Sequence, residues 1–167
     1  MFYRIKQFLW AITSYFKRID YDHIDKYLNE EEKDLFKRLR KTDKHHCIRV
    51  SKDALKYVEK DIENHQIDKE YLGKLTLLHD IGKIDKSLNS IEKSFIVIAH
   101  KLSKGNIKKY SKYKIVDSYY NHPKNGANIL KKLGYDNEFL EAIENHHNKT
   151  VSNNKLLEIL KFSDDKN

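Results

Sequence analysis

Cysteine occurs once in this 167-residue chain, proline once and glycine five times. A single thiol, Cys47, excludes a disulfide framework and leads us to expect a cytoplasmic location. It also argues against a thiolate-rich structural zinc site. So few helix breakers favour long helices over many tight turns. No uninterrupted apolar run reaches about 18 residues, so no transmembrane segment is expected. No period of about 20 to 50 residues repeats, which removes solenoids and propellers.

What is present is a hydrophobic fraction of 39% beneath a charged fraction of 35%. That supports one core of ordinary size under a heavily solvated surface. The formal net charge of +8 favours anionic partners. Lysine reads as scattered, often beside Glu or Asp, with no basic cluster interleaved with aromatics. Most of it is therefore expected to be solvated helix face, and nucleic acid is not the favoured partner.

Helical periodicity dominates, and no strand pair is evident. The expected helices run near 2–17, 30–40, 44–64, 69–82, 90–103, 112–120, 123–133, 137–147 and 153–165. Gly134 reads as a helix stop and Pro123 as a first-turn residue. The segment SKGNIKKYSKYK, 103–114, reads as an exposed connection. The fold class is all-α. Residues 1–40 are expected to form a helical extension packed on a helical domain spanning 41–167. Phe2, Ile5, Leu9, Ile12 and Phe16 make the first helix amphipathic. It is expected to dock on the domain or mediate a homodimer, with a membrane-surface helix as the alternative.

The segment LLHDIGK, 77–83, places two polar residues at the end of a helix that is apolar nearly all round. Helical spacing shows which other polar residues share apolar stripes. His46 shares one with Val50, Ala54, Tyr57 and Val58, whereas His45 aligns with Arg49, Lys52 and Lys56 on a solvent stripe. His79 follows Leu72, Leu75 and Thr76, and Asp80 follows Thr76 and Leu77. His146 and His147 continue the stripe of Phe139, Leu140 and Ile143. Asp164 continues Leu156, Leu157 and Leu160, while Asp165 aligns with Glu158 and Lys161. His122 precedes Pro123 and aligns with Gly126, Ile129, Leu130 and Leu133. At Gly126 another group is expected to approach the backbone. His23, His65 and His100 read as structural or solvated.

One histidine on an apolar face is ordinarily a core residue with a hydrogen-bond partner. Seven buried polar groups left uncompensated would cost about 7–20 kcal/mol. That rivals or exceeds a whole domain's stability of about 5–15 kcal/mol. The five imidazoles and two carboxylates must therefore compensate one another, and convergence of such donors suits a metal centre of Fe, Mn, Zn, Ni or Co.

The order His46 (in HCIRV), His79-Asp80 (in LLHDIGK) and Asp164 (in LKFSDD) resembles the HD-domain metal-dependent phosphohydrolases. His122 (in YNHPKNGANIL) and His146-His147 (in IENHHN) resemble the branch with two or more metals, which includes the HD-GYP cyclic di-nucleotide phosphodiesterases. The resemblance covers about residues 40 to 165 and implies a single helical bundle with a metal centre in its core. It implies that His46, His79, Asp80 and Asp164 bind one metal. Asp80 would bridge to a second metal held by His122 and His146, with His147 as ligand or support. Lys83 matches a lysine near the nucleophile and substrate phosphate.

Two departures limit the likeness. HHNKTVSNNK lacks the Gly-Tyr-Pro ending, so the resemblance does not extend to cyclic di-GMP specificity. Thr42 stands where some relatives carry a third-metal glutamate, so two divalent metal ions are expected (Fe, Mn, Ni, Co, Zn or Mg). The expected activity is hydrolysis of a phosphate mono- or diester, on a nucleotide, by a metal-activated hydroxide. Asp80 and Lys83 are the candidate catalytic residues, with Lys83 on the substrate phosphate. The alternatives are a non-catalytic nucleotide-sensing domain and a di-iron oxygenase.

Overall fold

A computed structural model describes residues 13–14, 16–60, 66–85, 88, 90–148 and 153–167. Eight α-helices and no strand occur among them. They are α1 (Tyr21–Tyr27), α2 (Glu30–Lys37), α3 (Lys41–Lys60), α4 (Lys69–Leu78), α5 (Ser90–Leu102), α6 (Lys114–Lys132), α7 (Asn137–Asn145) and α8 (Lys155–Lys166). Short 3-10 turns occupy Ile81–Lys83 and Asn106–Tyr110. The helix expected over 2–17 lies almost wholly outside the described residues, as does His65.

Most helices begin where a side chain takes an orphan backbone N–H. Asp68 caps α4, Asp136 caps α7 through Phe139 N, and Asn154 caps α8 through Leu157 N. Asn29 and Glu32 form a reciprocal capping box on α2. Asp20 starts α1, a short helix not foreseen because YDHIDKY offers only Ile24 and Tyr27 to the core. Gly134 (φ +83°) ends α6 in the left-handed conformation, as its sequence position suggests.

The apolar stripes meet in one core, in which Leu72, Leu75, Leu77, Leu78, Leu130, Ile143 and Leu160 are fully buried. Ile24, Leu28, Phe36 and Leu39 join the same core from the N-terminal side. Helix α1 crosses α4 at Gly73, where an added Cβ would lie 2.5 Å from the Tyr27 ring.

Three expectations need correction. Residues 112–133 do not form two helices separated at Pro123, for α6 runs continuously through it. A proline inside a helix costs one backbone hydrogen bond. Tertiary packing outweighs that here, because His122, Pro123, Gly126 and Ala127 are all buried. His45 is not on an open solvent stripe but half-buried against the Lys17 backbone. Lysine is not evenly scattered: residues 93–116 hold seven of the 28 lysines and no Asp or Glu. Tyr110 and Tyr113 lie among them, so a basic, aromatic-interleaved segment is present after all.

Candidate metal centre

Seven polar side chains from five helices and their ends converge in the core. His46 comes from α3, His79 caps the C-terminus of α4, and Asp80 opens the following 3-10 turn. His122 comes from α6, His146 caps the C-terminus of α7, His147 follows it, and Asp164 lies in the last turn of α8. Three helices thus end at the centre with their C-termini, the partially negative end of the macrodipole, which favours a cation there.

A close backbone contact sets the register between these segments. An ideal Cβ on Gly82 would fall 1.9 Å from the His122 carbonyl oxygen and 2.6 Å from Gly126 N. Only glycine lets the HDIGK turn lie directly on α6. The group approaching Gly126 is the Gly82 backbone, whose nitrogen would lie 3.2 Å from a Cβ there. That contact brings Asp80 beside His122.

The two Asp80 oxygens face different groups. Oδ2 lies 3.8 Å from His46 Nε2 and 3.7 Å from His79 Nε2. Oδ1 lies 3.4 Å from His122 Nε2 and 3.9 Å from His146 Nε2. His46, His79 and Asp164 form one cluster of potential ligand atoms, all within 4.8 Å of one another. Asp80, His122, His146 and His147 form a second on the same criterion. His46 Nε2 lies 2.9 Å from Asp164 Oδ1. His147 sits at the rim, with Nε2 3.1 Å from His122 Nε2 and Nδ1 3.7 Å from Asp164 Oδ2. All seven residues singled out from the sequence are therefore brought together, with His46 chosen over His45 and Asp164 over Asp165.

Backbone carbonyls orient three of the rings. His79 Nδ1 donates to Thr76 O (2.8 Å), His122 Nδ1 to Ser118 O (2.9 Å) and His146 Nδ1 to Ile143 O (2.6 Å). A carbonyl only accepts, so each Nδ1 carries the proton and each Nε2 is directed inward. Burial holds His122 and His147 below the ordinary imidazole value, His122 well below it, with the Lys83 charge adding to the effect in both. Burial, with His147 adding, depresses His146 to about 3. These are neutral imidazoles with lone pairs available. Burial also opposes charge on Asp80, but the Lys83 and His79 charges outweigh it and keep the carboxyl well below its ordinary range. Burial opposes charge on Asp164 too, and the His46 and His79 contacts prevail. For His79, burial is overcome by Asp80 and Asp164, which raise its value.

Lys83 Nζ lies 2.5 Å from Asp80 Oδ2. Burial disfavours its ammonium, yet Asp80 and Asp43 hold it charged, above the ordinary lysine range. Asp43, buried three residues before His46, was not singled out from the sequence. Its spacing on the His46 face was the available signal. Cys47 also lies beside the centre, grouped with His79 and Asp80, its thiol pushed up by burial. His23 bonds Ser51 and His100 bonds Tyr120, both away from the centre as expected.

The donor set fits a metal by a test independent of its composition. Among the described residues, the buried atoms His79 Nε2, Asp80 Oδ1 and His146 Nε2 have no hydrogen-bond partner. Buried polar atoms are rarely left so, and several facing one another suit a shared cation, which would take the place of any proton on His79. Nitrogen and carboxylate donors match divalent transition metals.

No curated protein and no solved structure matches the chain. The model of the HD domain matches residues 44–165, from just before His46 to just beyond Asp164. With that match spanning the whole donor set, the chain belongs to the HD-domain family, within the superfamily of metal-dependent phosphohydrolases.

Proposed function

We propose that the protein hydrolyses a phosphate mono- or diester of a nucleotide with the help of two divalent cations. The observation that carries this reading is Asp80, whose two oxygens face two separate donor clusters. His46, His79 and Asp164 would hold one cation, and His122, His146 and His147 the other, with Asp80 shared. Bound there, such cations supply Lewis acidity toward phosphoryl oxygens and hydroxide near neutral pH.

The chain's own residues prepare that chemistry. The carbonyls of Thr76, Ser118 and Ile143 lock the rings so that little reorganisation is needed. Burial keeps His122 and His146 unprotonated, and thus competent donors across the neutral range. Lys83 remains charged beside Asp80 and is proposed to take a phosphate oxygen of the substrate.

The test is a panel of nucleotides and phosphodiesters assayed with the metal the protein carries when purified without oxygen. Phosphate or nucleotide monophosphate release, absent from Asp80→Ala, is the expected result. Oxygen consumption with an organic substrate and no phosphate release would instead make it an oxygenase. Nucleotide binding without turnover would make it a sensing domain.

A further inference from the structure

We propose that the lysine-rich turn between α5 and α6, with the exposed apolar face of α5, docks the protein on an anionic lipid bilayer. Residues 93–116 carry seven lysines without one carboxylate, leaving 26 basic and 25 acidic residues in all the rest. Nearly the whole net charge of +8 therefore sits in one segment. Lys101, Lys104, Lys108, Lys109, Lys112 and Lys114 are all exposed. Several lysines elsewhere pair with acids, as Lys33 does with Asp25 and Lys52 with Asp20. No ion pair to a carboxylate is found for these six among the described residues.

Apolar side chains lie in the same segment. Phe95, Ile98 and Leu102 are 68%, 55% and 80% exposed and recur at helical spacing on α5. Single exposed apolar residues are ordinary, but a row beside unpaired cations marks an interaction surface. Tyr110 and Tyr113 are exposed too, with Lys109 and Lys112 ammonium groups 5.2 and 5.3 Å from their ring centres. Basic, aromatic and aliphatic side chains together suit the headgroup region of an anionic leaflet. A nucleic-acid strand would use the lysines and tyrosines but gives no place to Ile98 and Leu102. No described helix is long and apolar enough to cross a membrane, so the contact is peripheral. Helix α6 starts in this patch and carries His122 eight residues later, about 12 Å along its axis. Docking would hold the metal centre close to the bilayer.

The full chain would be sedimented with phosphatidylcholine vesicles, with and without phosphatidylglycerol, at low and high salt. Binding only to anionic vesicles, weakened by salt, is expected. Replacing Lys104, Lys108, Lys109 and Lys112 together by Gln should weaken it by roughly fivefold per lysine. Phe95→Ser with Leu102→Ser leaves the charge unchanged and should still cost about tenfold or more. All these side chains are exposed, so helical content and metal content should not change. Equal binding to neutral vesicles, or binding untouched by both variants, would overturn the proposal. So would capture of single-stranded oligonucleotide with no affinity for anionic vesicles.

Discussion

Glu32 and Asp80 are both carboxylates at helix ends, with 3% and 1% of their surface exposed, yet their oxygens are treated in opposite ways. Around Glu32 every acceptor is occupied. Oε2 takes the Asn29 N–H at 2.8 Å, and Oε1 takes the Tyr135 hydroxyl and lies 3.2 Å from Lys74 Nζ. This cluster ties α2 to α4 and to the loop after α6, and it holds the fold together. Around Asp80 one oxygen meets Lys83 while Oδ1 has no hydrogen-bond partner among the described residues, and imidazole nitrogens face it. A polar group buried with its partners stabilises the fold. One buried with its lone pairs directed at other lone pairs is built for a cation.

The two sites should therefore answer substitution in opposite ways. The largest change is expected for Asp80→Ala, which should lose metal and drop turnover on the order of 10³-fold. Its thermal transition should no longer rise when metal is added, because ligand-linked stabilisation needs the native site. Glu32→Ala should do the reverse. Its urea unfolding free energy should fall by about 3 kcal/mol, since it leaves Lys74 and the Tyr135 hydroxyl without their buried partner. Metal content and turnover per folded molecule should be unchanged.

Acid sharpens the contrast in protein stripped with a chelator. His122, His146 and His147 are all depressed in the folded state, His146 from 6.5 to about 3, each by burial first. The unfolded chain therefore binds their protons first, and stability is lost as pH falls from about 6.5 toward about 3. His79, raised by Asp80 and Asp164 against the effect of burial, adds stability that is complete below its ordinary value and is lost only as pH rises above it, so it does not offset the loss in acid. Urea midpoints should drop between about pH 7 and about pH 5, and added metal should suppress that drop. A flat profile would contradict the neutral, inward-facing imidazoles. The smallest effect is expected for Tyr135→Phe. It removes one of the Glu32 contacts, costs about 1 kcal/mol in urea unfolding and leaves metal uptake alone.

The metal cluster was legible in the sequence and the Glu32 cluster was not, for a physical reason. His46, His79, His146, His147 and Asp164 each continue an apolar stripe on their own helix, so local periodicity singles them out. Glu32 lies in EEEKD, where its neighbours are solvated, and its hydroxyl partner is 103 residues away. Nothing local marks that meeting. Pro123 misled for a related reason: propensity is local, whereas the packing of α6 against the HDIGK turn is not. The lysine segment is a local feature too, set in a chain whose other 26 basic and 25 acidic residues nearly cancel.

An Asp80 carboxylate shared by two cations would show itself in the metal content of the chain. Chains purified without oxygen should carry about two divalent ions each, and Asp80→Ala should carry none. An Asp80→Ala protein that retains full metal content and full turnover would contradict the account.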